Sequence, residues 1–465
     1  MNMREDDSTD YDDDSRTESV QMYLGEQADQ AEREGPGEVV GSGLAKLKTR
    51  FMSPRVYSTR KRLLMVFLSN MVCLACLVVA VFSLHVGVLV DQRKYVGRLP
   101  MLLVVQDEDG GMGAELFRAV EGAAGRWTAV NGIAARAEFK LGEEDDLDGY
   151  IHGLIRRHKY WMALNVHAGT TEALRESLEN PEAPAFNSSQ FFEVYYETVR
   201  DFSAIGTVRQ LMESLEAEFR LYYLDAWLPG ELREHATTVD VASAGRNLAA
   251  AGSMQWNYVD LGPFYDASLY GILQVGMIMC LLLTFFQLAM ISALHAELAL
   301  LLRTSHLLLY RYVVSYASYL LLSLFYSVVP VIYHLDLEKA YGRAGFLVFW
   351  MTTWLFMTAL GGANENIISI IFEYCPRFVG FWLMFWIVFN VTPTFYSLQL
   401  ANTFYKYGYI TPIYNARECY KVILFDTDRG YLKIAYVVLF AWAVLNAALF
   451  PLALKIVKMK SEKQT

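Results

Sequence analysis

Six apolar runs set the plan of the chain. They cover about 63–84, 269–291, 307–333, 344–363, 378–400 and 432–454. Each is close to the ~20 residues that carry a helix across ~30 Å of hydrocarbon. Their cores hold no Lys or Arg, apart from Arg311 near the start of the third. Between the first and second runs the pattern changes. "LPMLLVVQDEDG" (99–110) reads as a buried strand ending in an acidic turn, "KYWMALNVHAGT" (159–170) as a second strand and "MQWNYVDLGPF" (254–264) as a closing strand. "GAELFRAVEGAAG" (113–125) and "TTEALRESLEN" (170–180) have helical spacing, and 190–233 reads as mostly helical. Strands alternating with helices predict a mixed α/β domain. The expected fold is an α-helical polytopic membrane protein with six transmembrane helices and a mixed α/β extracytosolic domain inserted between helices 1 and 2.

Charge supplies the orientation. Lys46, Lys48, Arg50, Arg55, Arg60, Lys61 and Arg62 precede the first run, and Lys455, Lys458, Lys460 and Lys463 follow the last. Basic flanks favour the cytosol, so both termini are expected there. The expected division is a tail at 1–50, a first transmembrane helix at 63–90, an extracytosolic domain at 91–265, a five-helix membrane domain at 266–455 and a short cytosolic tail at 456–465. The formal net charge of −10 resides in the first 45 residues, which hold 13 acidic and 3 basic side chains. That tail has few aliphatic residues and repels itself, so it reads as disordered, with Ser8, Thr9, Ser15 and Ser19 as candidate phosphorylation positions.

Candidate chemistry is sparse. No P-loop, H-E-x-x-H or G-x-S-x-G pattern occurs, so neither an enzyme nor a cofactor is expected. The eight His are scattered singly, and Cys73 and Cys76 sit in an apolar run without a neighbouring His or acid. "EEDDLDG" imitates the start of a calcium loop, but Ile155 stands where the bidentate carboxylate belongs. The basic cluster abuts a span, which points to contact with anionic membrane lipids rather than nucleic acid. Asn187-Ser188-Ser189 is an N-glycosylation sequon on an expected external loop.

Polar residues inside apolar runs are costly and often functional. Gln274 and Gln287 lie in the second span, and Asn390, Thr392 and Pro393 interrupt the fifth. "MTALGGANENIISIIFEYC" (357–375) ends the fourth with Asn364, Glu365 and Asn366 side by side. Counting twenty residues from Gly342 at ~1.5 Å each brings the span to about Ala363. Glu365 is therefore expected at the cytosolic interface, in one turn with Glu373 and Arg377; a functional intramembrane acid is the alternative. The aromatic stretch 401–431 reads as a short re-entrant or interfacial element.

Several segments resemble the fungal nitrosoguanidine-resistance membrane protein family, whose membrane domain is similar to ABC-2-type exporter subunits. "LLVVQDEDG", "KYWMALNVHAGT", "VYYETVRD" and "VDLGPFYDAS" match in order, as does "GRAGFLVFWMTTWLFMTALGGANEN", which ends in Glu365 and Asn366. "FNVTPTFYSLQLANTFYKYGYITPIYNARECYKVILFDT" is the most specific portion and places motif positions at Asn390, Phe404, Tyr405, Gly408, Tyr409, Pro412, Asn415, Phe425 and Asp426. Gln106 stands where the family has an acid. The resemblance implies a plasma-membrane or endomembrane protein linked to drug resistance and lipid organisation. Export of amphipathic compounds or lipids is the expected function. A separate ATPase would dock on a coupling helix within 295–311, and a homodimer is the default by analogy. The alternative is a non-transporting regulator or scaffold. Glu365, Asn366, Asn390, Pro393, Asn415 and Asp426 are the candidate functional polar positions.

Overall fold

The computed structural model describes residues 57–107, 111–180, 182–234 and 245–464. The acidic tail and its serines lie outside the described residues. Among the described residues, six helices are long and apolar enough to cross a membrane, and a five-stranded sheet lies between the first and second. The chain is therefore a helical multi-pass membrane protein with a mixed α/β part.

Helix α1 (Tyr57–Gly87) opens the described chain. The sheet follows as β1 (Pro100–Val105), β2 (Arg126–Asn131), β3 (Met162–Val166), β4 (Phe192–Tyr196) and β5 (Asn257–Asp260), in the order β2-β1-β3-β4-β5. β1 pairs in parallel with β2 and β3, β3 pairs antiparallel with β4, and β4 pairs in parallel with β5. Helices α2 (Gly111–Gly122), α3 (Gly132–Phe139), α4 (Leu147–Arg156), α5 (Thr170–Glu179), α6 (Phe202–Tyr222), α7 (Leu228–Glu234) and α8 (Gly245–Ala251) complete this part.

The unbroken apolar run of β1 is explained by helices on both faces, as parallel strands require. Met101, Leu103 and Val105 join one core with Leu116, Phe192, Met212 and Phe219. Leu102 and Val104 point the other way, into a core with Ala135, Ile151, Leu154 and Tyr195. The segment 190–233 is mostly helical, as expected, from Phe202 onward, but it opens with the strand β4. Its Phe-Glu-Val-Tyr-Tyr stretch has the aromatic and β-branched residues of a strand, and pairing with β3 decides the outcome. The edge strand β2 carries no comparable apolar run, whereas α4 buries Leu147, Ile151, Leu154 and Ile155 at helical spacing.

The membrane part comprises α9 (Met277–Leu301), entered through a π-helical turn at Gly271–Gly276, then α10 (Thr304–Ile332), α11 (Gly345–Tyr374), α12 (Val379–Phe395), α13 (Pro412–Phe425) and α14 (Leu432–Gln464). α11 is central and packs against α9, α10, α12, α13 and α14. Two loop expectations are corrected here. The stretch 295–311 is no separate coupling helix, because α9 continues to Leu301 and α10 starts at Thr304. The stretch 364–377 is no turn, because α11 runs unbroken to Tyr374 and only Pro376 begins the next element. Within 401–431, a 3₁₀ segment (Thr403–Ile410) leads into α13, which is buried along most of its length.

The sheet part rests on the end of the membrane bundle formed by the 401–431 segment. Trp161 Nε1 donates to Gln399 Oε1 at 2.9 Å, and Arg98 donates to the Ala401 carbonyl at 3.0 Å. Lys421 Nζ donates to the Arg200 carbonyl at 2.6 Å, and Phe264 packs edge-on to Phe425 with ring centroids 4.9 Å apart.

Candidate intramembrane site

The site starts from a stripe of small residues on α11. Ala359, Gly361, Gly362 and Ala363 give neighbouring helices room to approach, as in other membrane bundles. A Cβ on Gly361 would stand 2.4 Å from the Tyr319 ring of α10, and one on Gly362 would stand 2.7 Å from Asn446 of α14. The two glycines therefore set α10 and α14 against α11 where its polar triplet follows.

Each member of that triplet has a different neighbour. Asn364 donates to Thr284 Oγ1 of α9 at 3.2 Å and accepts from Trp382 Nε1 of α12 at 3.1 Å. Asn366 Nδ2 donates to the Asn446 carbonyl at 3.0 Å, while Asn446 Nδ2 donates back to the Ala359 carbonyl at 2.8 Å. Glu365 Oε1 receives Arg311 Nε at 3.0 Å and Nη2 at 2.8 Å. Both partners are buried, Nη2 also reaches Ser369 Oγ at 3.3 Å, and the guanidinium lies 5.2 Å from the centre of the Phe450 ring.

This corrects the turn expected around Glu365, which lies within helix. Glu365 lies nine residues before the end of α11, about 13 Å at the helical rise. It is buried and ion-paired inside the bundle rather than grouped with Glu373 and Arg377. Its partner is 54 residues away in sequence, so no local pattern announces the pair. Arg311 was visible as the lone basic residue in a span core, and that was the available signal. Asn446, in the last span, was missed.

Two openings meet at this cluster. A cleft of about 20 Å³ is bounded by Tyr312, Ser315, Tyr319, Glu365, Asn366 and Asn446. A groove of about 930 Å³ is lined mainly by Leu347, Met351, Leu355, Phe440, Val444 and Ala448. Tyr316, Thr358, Ala443 and Ala447 belong to the walls of both. An apolar channel between α11 and α14 thus ends at a small polar recess. Tyr319 Oη and Asn366 Oδ1 are buried there without a hydrogen-bond partner among the described residues.

The other expected positions form a second group on α12 and α13. Asn390 Nδ2 donates to the Trp386 carbonyl at 2.9 Å, and its Oδ1 accepts from the Ile413 backbone at 3.4 Å. Asn415 donates to the Tyr409 and Thr411 carbonyls and accepts from Tyr431 Oη. Pro393 packs where a Cβ on Gly408 would fall 2.2 Å from it, so Gly408 is required for this contact. Asp426 terminates α13 in the left-handed region and pairs with Arg429 at 2.6 Å. These residues hold the elbow between α12 and α13, apart from Glu365 and Asn366. Asn187 is exposed and caps a short turn through Ser189.

A further cluster escaped the sequence reading, where the histidines appeared scattered. At the carboxyl ends of β1 and β3, His167 Nδ1 faces Asp148 Oδ2 at 3.3 Å, and its Nε2 faces Glu193 Oε2 at 3.0 Å. Gln106 and Asn165 both donate to Asp148 Oδ1 at 2.7 Å. The hydrogen bond from His167 leads the causes that hold Asp148 down at about 2, and the bond to Asp148 likewise raises His167. Burial works to raise Glu193, but bonds from Tyr195, His167 and Asn257 bring it below its ordinary value. Gln106, where the family resemblance expected an acid, is thus a hydrogen-bond donor between two acceptors.

Comparison with known proteins places the chain. The family described as "Protein of unknown function (DUF3533)" matches residues 70–448. An uncharacterized endoplasmic reticulum membrane protein of Saccharomyces cerevisiae is 34% identical over 429 residues, covering 89% of this chain and 84% of the relative. No solved structure matches.

Proposed function

This chain belongs to the DUF3533 family of membrane proteins, and on that footing we propose that it takes amphipathic compounds or lipids from the bilayer and moves them across it. One observation carries the reading: an apolar groove between α11 and α14 that ends in a small polar recess walled in part by Glu365, which is ion-paired with Arg311. A groove of about 930 Å³ is within the usual size of a ligand site, and its lining suits an acyl or ring system. Buried ionisable residues in spans mark substrate paths more often than chance, because each must repay its desolvation.

The resemblance to nitrosoguanidine-resistance proteins and to ABC-2-type exporter subunits supports a resistance role by export. A separate ATPase would supply energy, and a homodimer would complete the path. The basic flanks support cytosolic termini, which puts the sheet domain and the Asn187 sequon on the external or lumenal side. The relative's printed name supports an endomembrane location, whereas the family resemblance favours the plasma membrane. We assign the chain no catalysis of its own.

The test is flux of fluorescent phospholipids and a dye panel in null cells, comparing wild type with Glu365→Gln and Asn446→Leu at matched protein levels. Restored flux in wild type, and at least about tenfold less in the variants, is the expected result. Equal rescue of resistance by all three, without any flux, would replace this reading with the regulator or scaffold.

A further inference from the structure

We infer that the molecule bound at the end of the groove is a neutral amphiphile with a single small hydroxyl head, the chemistry shared by a sterol, a diacylglycerol and a long-chain alcohol. The inference rests on the groove reading above and narrows it.

Charge is the first restriction. The recess wall carries one charged side chain, Glu365, and its carboxylate is already paired with the buried Arg311 at N···O 2.8 Å. They neutralise each other. A charged head entering beside them would stay unpaired in a medium of low dielectric constant, which costs several kcal/mol per ion. The neutral head avoids that cost.

Size is the second. A volume of about 20 Å³ admits about one water-sized group, since one water needs roughly 10–15 Å³ by the same measure. One hydroxyl fits. A phosphate, with four oxygens, does not.

The unpaired valences supply the third. Asn366 and Tyr319 are 7% and 2% exposed, and both line the recess. Asn366 Nδ2 is committed to the Asn446 carbonyl, which fixes the amide so that Oδ1, a pure acceptor, is left over. Tyr319 Oη is also unpartnered among the described residues and can donate or accept. A group that donates to Asn366 Oδ1 and accepts from Tyr319 Oη satisfies both. A hydroxyl does both. An ether or ester oxygen only accepts, and a quaternary ammonium does neither.

The full-length protein in lipid nanodiscs provides the test. A photoactivatable long-chain alcohol is competed with cholesterol, a diacylglycerol and an unlabelled alcohol, each alongside its O-methyl ether. At least one free alcohol should compete, with its ether about tenfold weaker, because the ether leaves Asn366 Oδ1 unsatisfied. Which alcohol competes best identifies the source. Labelled peptides should map to α11 and α14, and Tyr319→Phe should weaken the alcohol and its ether alike, about tenfold, because the oxygen of each accepts from Tyr319 Oη. The ether comparison uses wild-type protein, so it stands even if a variant misfolds. Equal competition by alcohol and ether, or equal competition by phosphatidylserine, would overturn the hydroxyl head while leaving the groove reading intact. Failure of every probe, phospholipids included, to label α11 or α14 above random lipid labelling would overturn both.

Discussion

At the scale of single residues, the membrane part encloses an ion pair that bridges α10 and α11. Arg311 and Glu365 each lie buried inside an apolar bundle. Removing one partner strands the other, and such an uncompensated buried charge costs about 3–5 kcal/mol. Replacing both by apolar residues of similar size removes the problem along with the pair. Arg311→Met and Glu365→Gln should therefore each lower the unfolding temperature of detergent-purified protein strongly. Arg311→Met combined with Glu365→Leu should recover most of the loss. The measured coupling between the two positions should be strongly favourable, and purely additive losses would mean that the pair is not the unit. At this scale the sequence was only half legible. The triplet Asn364–Glu365–Asn366 and the lone Arg311 were both conspicuous. That they meet is a fact of how α10 and α11 pack, and Gly361 lets α10 approach closely through contact with Tyr319.

At the scale of elements, hydrophobic length carried well and local chemistry carried poorly. All six spans were legible because ~20 apolar residues admit few other structures. Their ends were not, since α9 and α11 continue as helix beyond the apolar core, to Leu301 and Tyr374. Strand β4 was lost among helical neighbours because five residues are too few to show a period. The ties among β3, α4 and β4 were equally hidden, although they have a measurable consequence. His167 joins Asp148 of α4 to Glu193 of β4, with Gln106, Asn165, Tyr195 and Asn257 completing the surroundings. Both ring nitrogens face carboxylates, so the protonated ring is the favoured form. His167 is raised on folding, so its contribution is full below its unfolded value near 6.5 and is lost as pH rises through the folded value. Asp148 is lowered to about 2, so its contribution is present above its ordinary value of 3.8 and is lost as pH falls through that lower one. Between these limits the cluster is tightest. Amide exchange in β3 and α4 of the full chain, corrected for the intrinsic rate, should thus accelerate as pH rises above about 6.5. His167→Gln should be less protected at low pH and should lose that pH dependence. An unchanged profile in the variant would assign the dependence to another group.

At the scale of the whole molecule, the question is how the sheet domain is held to the bundle, because a sheet domain that rocks freely differs mechanically from one that moves with the helices. The seam rests largely on α13, the short helix that the sequence showed only as an aromatic, amphipathic stretch. Lys421 of α13 is buried, pairs with Glu418 at 2.8 Å and reaches the Arg200 carbonyl of the sheet domain. Burial pulls Lys421 below its ordinary value and Glu418 opposes that pull; burial pushes Glu418 up, but Lys421 and Arg417 outweigh it and hold it low. Arg200 is fixed in turn by the carbonyls of Tyr160 and His158, and its guanidinium lies 4.0 Å from the centre of the Trp161 ring. One ammonium thus links α13 to the turn preceding α6, while Trp161 adds its own bond to Gln399. Lys421→Met keeps the length of the side chain and removes the donor. It leaves the Arg200 carbonyl short of this donor, at a cost of about 1–3 kcal/mol. Arg417 remains beside Glu418, so the carboxylate is still paired. The expected outcome is faster amide exchange and protease cleavage around 198–203, with protection in α11 unchanged. If the two parts work as one machine, lipid or dye flux should fall with that loosening, even though Lys421 is not in the walls of the groove. Loosening without loss of flux would make the sheet domain a passenger in transport and turn attention to what it binds.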